Sequence, residues 1–339
     1  MNNRIKILRE QSLSQTPYVS AERAQMVTRF YQSTDGQNLS KPMQRALCFN
    51  YLLENKTICI LENELIVGER GPAPKAVPTY PEVTLHSIED LKILNSRKKV
   101  FYKVSDEVIK IYETEIIPYW KGKSHRERMF EKMSDEWKNA YAAGIFTEFQ
   151  EQRAPGHTVL GNKIYQLGML DIIKQIEQTL QNIPADKKEN SLKIEQLNAM
   201  RICANAIIKF AHRHAETLEL QAIQCTNPNR KAELKKMADI CRHVPAHAPR
   251  NFHEALQYYW FIHLGVITEL NPWDSFNPGR LDQHLLPFYQ KEIEAGTLSQ
   301  EQAEELLQAF WIKFNNHPAP PKIGVTALES NTYTDFALI

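Results

Sequence analysis

Residues 255–270 read ALQYYWFIHLGVITEL, an apolar run interrupted by Gln257, His263 and Glu269. Its consecutive aromatics, Tyr258, Tyr259, Trp260 and Phe261, would spread over every side of a helix with 3.6 residues per turn. They predict a helix buried all round, at the centre of a packed protein, and no cofactor is needed to explain them. The run is shorter than the roughly 20 apolar residues of a membrane span.

Sequence on both sides of this helix keeps a helical period. Ser20 is placed to cap a helix running to about Tyr31, and Pro42 sits where a first helical turn tolerates proline. The strings SHRE at 124–127 and SQEQ at 299–302 fit the capping box, in which a hydroxyl takes a free backbone N–H and the later side chain reaches back. Apolar residues recur at helical spacing over 106–120 (Val108, Ile111, Tyr112, Ile116, Tyr119) and 163–180 (Ile164, Leu167, Leu170, Ile173, Ile176, Leu180). Further helices are expected over about 190–224 and 230–243, and Gly296 is a helix stop. The polar stretch 184–191 (PADKKENS) reads as a link between two helices, not a domain boundary.

Strand signals are few. Residues 57–60 (TICI) and 65–67 (LIV) flank a short polar turn and predict a hairpin. Residues 323–326 (IGVT) predict a buried strand. Three loops are unusual: 144–161 (GIFTEFQEQRAPGHTVLG) and 271–283 (NPWDSFNPGRLDQ), both aromatic, and 315–322 (NNHPAPPK). Ordinary connections are small and polar, so these are expected to pack inside, where polar groups make binding sites.

The 339 residues allow one large domain or two ordinary ones, and a sizeable core. Apolar residues are 42% and charged residues 24%, a globular balance. The 41 basic and 40 acidic residues nearly cancel, and no basic block is present, which argues against a nucleic-acid partner. Cys48, Cys59, Cys203, Cys225 and Cys241 show no C-x-x-C spacing, so they read as reduced thiols, and paired zinc or iron–sulfur ligation has no framework. The charged N-terminal segment has no apolar signal core. These features together predict a soluble cytoplasmic protein without a membrane partner or bound metal.

Residue chemistry alone leaves alternatives open. His157, just past Pro155-Gly156, either projects into a cavity and exchanges protons near neutral pH or bonds a nearby carbonyl. Asp274, after Trp273, is either a buried carboxylate needing a partner or a turn-forming residue. Arg153 and Arg280 either grip a carboxylate or form structural ion pairs. No phosphate-cradling glycine loop, G-x-S-x-G elbow or H-E-x-x-H pair occurs.

The three loops carry a resemblance. GIFTEF followed by QRAPGHTV at 152–159, TELNPWDSFNPGRLDQHLLPFY, KFNNHPAPPKIGVT and NTYTDFA resemble, in order, the hydroxyproline-dehydratase branch of the glycyl radical enzymes. ELIVGERG at 64–71 and TYPE at 79–82 match as well, so the resemblance covers essentially the whole chain. It implies a helix-rich α/β fold, with 1–339 as the N-terminal part of a pyruvate formate-lyase-like domain built on a ten-stranded barrel. It also implies an anaerobic lyase: a separate radical S-adenosylmethionine activating enzyme makes a glycyl radical, which oxidises a cysteine to the thiyl that takes a hydrogen atom from substrate. Loss of the 4-hydroxyl as water from a hydroxyproline-like small molecule then gives 1-pyrroline-5-carboxylate. By motif, His157 is similar to the histidine near the departing hydroxyl, and Asp274 to the aspartate that holds the ring amine or hydroxyl. Phe149 and Phe336 resemble cavity-wall aromatics, and Ser330 falls where a polar residue contacts the substrate carboxylate.

The sequence departs from that pattern in two motifs. No cysteine here is followed two positions later by glutamate, so the G-C-x-E loop is missing, as are the R-V-x-G-Y glycyl radical motif and its domain. The expectation is therefore a truncated chain, inactive alone, that self-associates through an uncovered strand edge near 323–325 or needs a complementary C-terminal chain. Competing readings are part of a pyruvate formate-lyase or a diol dehydratase, and a non-catalytic remnant that binds a ligand or partner.

Overall fold

The computed structural model describes residues 2–146, 157–158, 161–184, 187–269 and 276–329. The first part of the chain runs α1 (Asn3–Ser14), β1 (Tyr18–Ser20), α2 (Glu22–Gln32), α3 (Lys41–Asn55), β2 (Ala76–Pro78) and α4 (Ile88–Ser96). It continues through α5 (Asp106–Ile111), α6 (Ile117–Trp120), α7 (His125–Lys132), α8 (Asp135–Ala142) and β3 (His157–Thr158). Then follow α9 (Met169–Gln181), α10 (Lys188–Gln224), α11 (Pro228–His243), α12 (Phe252–Glu269), β4 (Phe276–Asn277), α13 (Leu281–Glu294), α14 (Gln300–Asn315) and α15 (Val325–Glu329). β1 and β2 pair in parallel, and Tyr18 also bridges to Lys103 in parallel, so β1 is central to a small parallel sheet. One apolar core gathers α10, α11 and α12, and a second gathers α2, β1, β2 and α4 through α6.

α12 is the buried helix that its sequence predicts: every residue from Phe252 to Gly265 is buried, as are Ile267 and Thr268. Its polar side chains serve the segment 64–71, which is buried throughout. Gln257 bonds both sides of one residue, accepting from Val67 N and donating to Val67 O, each at 2.9 Å. His253 Nε2 meets Leu65 O at 2.7 Å, and Trp260 Nε1 donates to Gly68 O at 2.9 Å. Gly68 has φ +114°, and a Cβ there would lie 2.5 Å from Leu264 Cδ1, so only glycine lets the chain lie this close to α12. Three further carbonyls are met from elsewhere: Lys56 Nζ donates to Glu69 O and Arg70 O, and Arg230 to Glu64 O.

The hairpin expected from 57–60 and 65–67 is therefore absent. Leu61 and Glu64 do form a turn, with Glu64 N donating to Leu61 O. Beyond it the two extended arms part, because helix side chains take the backbone groups that a ladder would have used. Buried N–H and C=O groups need partners, but those partners need not be a strand.

Charge holds the same segment from its other side. Lys313 of α14, itself buried, donates to Glu64 Oε1 at 2.7 Å and to Glu69 Oε1. His317 Nε2 lies 2.7 Å from Glu69 Oε2, and Arg70 donates to Pro318 O. One ammonium thus faces two buried carboxylates. Lys313 is held charged, its pKa raised against the opposing effect of burial by Glu64 and Glu69. Glu64 is raised to about 7, first by burial and also by Glu69, while Lys313 opposes the shift.

Several sequence expectations are corrected at their ends. Both capping boxes, Ser124 with Glu127 and Ser299 with Gln302, are formed. α2 instead starts one residue beyond its expected cap: Ala21 is the N-cap, and Ser20 Oγ accepts from Glu22 N at 3.4 Å. The helix expected over 163–180 begins only at Met169. Met169 N and Leu170 N donate to Pro245 O and Ala246 O, and a Cβ on Gly168 would lie 2.2 Å from Ala246 O, so this entry is fixed by contact with another segment. Over 106–120 the helix is interrupted by a π turn, Tyr112–Ile116. Pro118 cannot donate to the carbonyl four residues back and crowds it, so the ladder widens there. Residues 323–326 are not a strand: Gly324 has φ +58°, its N–H donates to Asp90 Oδ1, and the chain enters α15. The free edge from which self-association was expected is not present at that position.

The buried charge can be tested in two ways. Replacing Lys313 by Met should destabilise the fold by about 3–5 kcal/mol, because two buried carboxylates lose their cation. In chemical denaturation, Lys313→Met combined with Glu64→Gln should lose less than the sum of the two single losses; additive losses would separate the two groups. The second test concerns pH. Burial pushes His214 down to about 3 and His253 to about 4, and holds His263 and His317 well below the usual imidazole value of 6.5. Below that value the unfolded chain takes up protons that these sites refuse, so stability falls as pH drops from 6.5 toward 4. Glu64 acts oppositely, losing its contribution as pH rises from 4.5 to about 7, but it is one group against four. Tm should fall steadily between about pH 7 and about pH 5; a Tm that rises over that interval would refute the assignment.

Candidate functional site

The end of α12 decides where the second aromatic loop begins. The last carbonyls of any helix lack intrahelical donors and carry the negative end of its dipole. Here buried Arg23 supplies a cation: its Nε donates to Thr268 O at 2.6 Å, and one terminal nitrogen to Glu269 O at 3.3 Å. The Tyr80 hydroxyl donates to Ile267 O. Arg23 also donates to Thr79 O at 3.1 Å, stacks over the Tyr80 ring at 3.9 Å, and pairs with Glu82 at 2.5 Å. Although burial disfavours its charge, Glu82 more than compensates, and the guanidinium pKa is raised. Thr79, Tyr80 and Glu82, which meet Arg23 in addition to the carbonyls of α12, all belong to the string TYPE at 79–82.

Two of the aromatic loops meet. β3 and β4 are parallel, with His157 opposite Phe276 and Thr158 opposite Asn277. The backbone of His157 is thereby set beside the loop that contains Asp274. Past β3, Tyr165 packs on His284 and Phe288 of α13, with ring centroids 5.1 and 6.2 Å apart. Past β4, Pro278 is buried and α13 begins at Leu281.

The third loop is packed inside, as its composition predicts. Pro318, Ala319, Pro320 and Pro321 are buried. The Tyr102 hydroxyl donates to Ala319 O at 2.8 Å, and His86 Nε2 lies 3.2 Å from Pro321 O. Asn316 O accepts from Lys75 N, and Asn316 Oδ1 accepts from the Ser12 hydroxyl at 2.6 Å.

Of the residues singled out by sequence, His157 has its backbone within β3. Phe149, Arg153, Asp274, Ser330 and Phe336 lie outside the described residues. Arg280 is exposed at the start of α13 and forms no ion pair among the described residues. The five cysteines are free, and burial raises the thiol pKa of Cys59 to about 12 and of Cys203 to about 11. Among the described residues no group of three His, Cys, Asp or Glu side chains is placed to hold a metal ion, and no helix is long and apolar enough to cross a membrane. The residues that sequence reading passed over are Arg23, Tyr80 and Glu82, together with Lys313 and Glu69. Two of the strings that carried the resemblance contain Tyr80, Glu82 and Glu69. Nothing local marks Tyr80 and Glu69 as partners of residues 187 and 244 positions away.

A parallel pair joining two loops at the end of a buried helix, within a helix-rich α/β fold, agrees with comparison to known proteins. The whole chain, residues 1–339, matches the pyruvate formate lyase-like family, and it belongs to that family of glycyl radical enzymes. Within the family it is 47% identical over 337 residues to trans-4-hydroxy-L-proline dehydratase of Clostridioides difficile, covering 99% of this chain and 43% of that protein. It superposes with a TM-score of 0.94 on the crystal structure of hydroxyproline dehydratase from that organism with trans-4-hydroxy-L-proline bound, at 46% identity. A structure of 1,2-propanediol dehydration in Roseburia inulinivorans matches with a TM-score of 0.88 at 27% identity, covering 98% of this chain and 40% of that one. Isethionate sulfite-lyase of Oleidesulfovibrio alaskensis is 32% identical over 310 residues, 87% of this chain and 37% of that protein. The chain thus spans about two fifths of the length of these relatives.

Arg23 gives the site geometry its most direct test. Replacing Arg23 by Met should destabilise the fold by about 2–3 kcal/mol, since charge-assisted bonds to two helix-end carbonyls and a carboxylate are lost together. Urea unfolding measures this, and a loss under about 0.5 kcal/mol, the range of ordinary surface substitutions, would mean that Arg23 does not fix the end of α12.

Proposed function

We propose that this chain supplies the substrate-positioning part of a glycyl radical dehydratase acting on trans-4-hydroxy-L-proline or a closely similar cyclic amino acid. The observation that carries the reading is the parallel pairing of His157 with Phe276, which sets the two candidate loops side by side in a chain 47% identical to a hydroxyproline dehydratase. In this reading residues 1–339 are the N-terminal part of one pyruvate formate-lyase-like domain. The thiyl and glycyl positions are supplied by polypeptide other than these residues, which contain neither motif.

The division of work follows from the chemistry. Hydrogen-atom removal from the substrate belongs to the thiyl radical formed after activation by a radical S-adenosylmethionine enzyme under anaerobic conditions. Hydroxide is a poor leaving group, and a proton delivered to the departing 4-hydroxyl lets it leave as water. His157 is the general acid in this scheme, and Asp274 holds the ring amine or hydroxyl. Phe149 and Phe336 wall the cavity against side reactions, and Ser330 contacts the substrate carboxylate. A diol-dehydratase reading has the 1,2-propanediol relative in its favour, but at lower identity.

The test is reconstitution. These 339 residues, supplied with the remaining portion of a hydroxyproline dehydratase, its activating enzyme and S-adenosylmethionine, should convert hydroxyproline to 1-pyrroline-5-carboxylate. The 339-residue polypeptide alone should give no glycyl signal in electron paramagnetic resonance and no turnover. His157→Ala and Asp274→Ala should each lower turnover by about 10²–10⁴-fold with little change in Tm. Wild-type turnover in the His157→Ala protein would remove it from the mechanism, and conversion of 1,2-propanediol in preference to hydroxyproline would favour the diol reading.

A further inference from the structure

A cavity of about 680 Å³ opens between α2, α3 and the segment 119–128, with Glu82 and Glu269 also on its wall. This volume lies within the range of small-molecule sites, roughly 300–1,000 Å³. Its charge is unbalanced. The two carboxylates on its wall are both engaged: Glu82 with Arg23, and Glu269 with Arg45 at 2.6 Å. Lys41, Lys123 and Arg128 also line it, and none of the three forms an ion pair among the described residues. The chain as a whole carries a formal charge of only +1, so this local excess of cations is a feature of the cavity and not of the composition.

The rest of the wall mixes aliphatic, polar and aromatic residues, among them Tyr31, Tyr119 and Trp120. Tyr119 donates its hydroxyl to Tyr31 O at 3.1 Å, and Trp120 Nε1 donates to the Thr28 hydroxyl at 2.9 Å. Tyr31 and Tyr119, both part-exposed, offer a ligand ring surface, while Trp120 is buried behind them. Tyr31 and Trp120 lie with centroids 5.2 Å apart, and Lys123 Nζ sits 3.8 Å above the Tyr119 ring. Cations at the rim and ring faces in the wall suit a molecule with a planar body and several negative charges.

We infer that this cavity binds a small polyanion with a planar ring, of nucleotide size. The cations attract the anionic groups, and the tyrosine faces take the ring. Arg23, Glu82 and Glu269 of its wall also hold the end of α12, but Lys41, Lys123, Arg128 and the aromatic residues have no part in the proposed dehydration. Isothermal titration of the 339-residue chain at low ionic strength, with ATP, inorganic pyrophosphate and adenosine as probes, tests it. ATP should bind more tightly than either part alone, and binding should weaken as salt is added. Lys123→Gln combined with Arg128→Gln, both exposed side chains, should weaken ATP binding by about tenfold or more, a loss of about 1.4 kcal/mol, while Tm stays near wild type. Absence of ATP binding, or binding unchanged in the double variant, overturns the inference. Pyrophosphate binding as tightly as ATP would overturn the role given to the tyrosine faces.

Discussion

The buried segment 64–71 is the constraint around which the rest of the chain is arranged. It is buried throughout with no neighbouring strand among the described residues, so many of its backbone groups are met by side chains instead. Those partners are Lys56, the residue that caps α3, and Arg230, His253, Gln257 and Trp260 from helices distant in sequence. Its two carboxylates, Glu64 and Glu69, then require a cation in a place with little water, and Lys313 supplies it. One segment thereby links α3, α11, α12 and α14. Such a network is demanding because a buried polar group left unpaired is expensive, so loss of one member exposes its partners to the full penalty.

The same logic continues to the end of α12. A helix buried on every side cannot let water serve its last carbonyls, so the carbonyls of 267–269 are served by Arg23 and Tyr80. Arg23 in turn needs Glu82 to keep its charge in the interior. The path of residues after Glu269 therefore begins from a point fixed by Arg23 of α2 and by Tyr80, just past β2. Polar pairing decides this geometry, while apolar packing supplies most of the stabilisation around it.

Much of the helical scaffold is legible in the sequence, because its signals are local. Four successive aromatics require all-round burial, and the boxes at Ser124 and Ser299 are completed within four residues. The hairpin pattern misleads for a physical reason: β-rich tetrads announce extended backbone, but not whether a strand or a glutamine will pair with it. The late start of α9 is hidden because it depends on contact with 245–247. At IGVT, β-branched residues suggest a strand, whereas Gly324 turns the chain into a helix. At the candidate site, the structure pairs two of the loops, with His157 in that pair, and no local pattern announces the pairing. Arg23 cannot be found from spacing, since its acceptors lie 245 and 246 positions away.

A two-residue parallel pair is too short to hold a reacting geometry by itself, and the proposed reaction needs close placement of an acid and an anchoring carboxylate. The control therefore has to come from where the two loops are tied. The loop bearing Asp274 leaves α12 at the carbonyls that Arg23 and Tyr80 hold. The loop bearing His157 runs into Gly168, where close contact with Ala246 and His247 admits no side chain. Closing a loop between fixed ends costs little more entropy as the loop lengthens, but the ends themselves must not move. Buried charge at the end of α12, where Arg23 pairs with Glu82, fixes one of those ends, and the Gly168 contact fixes another.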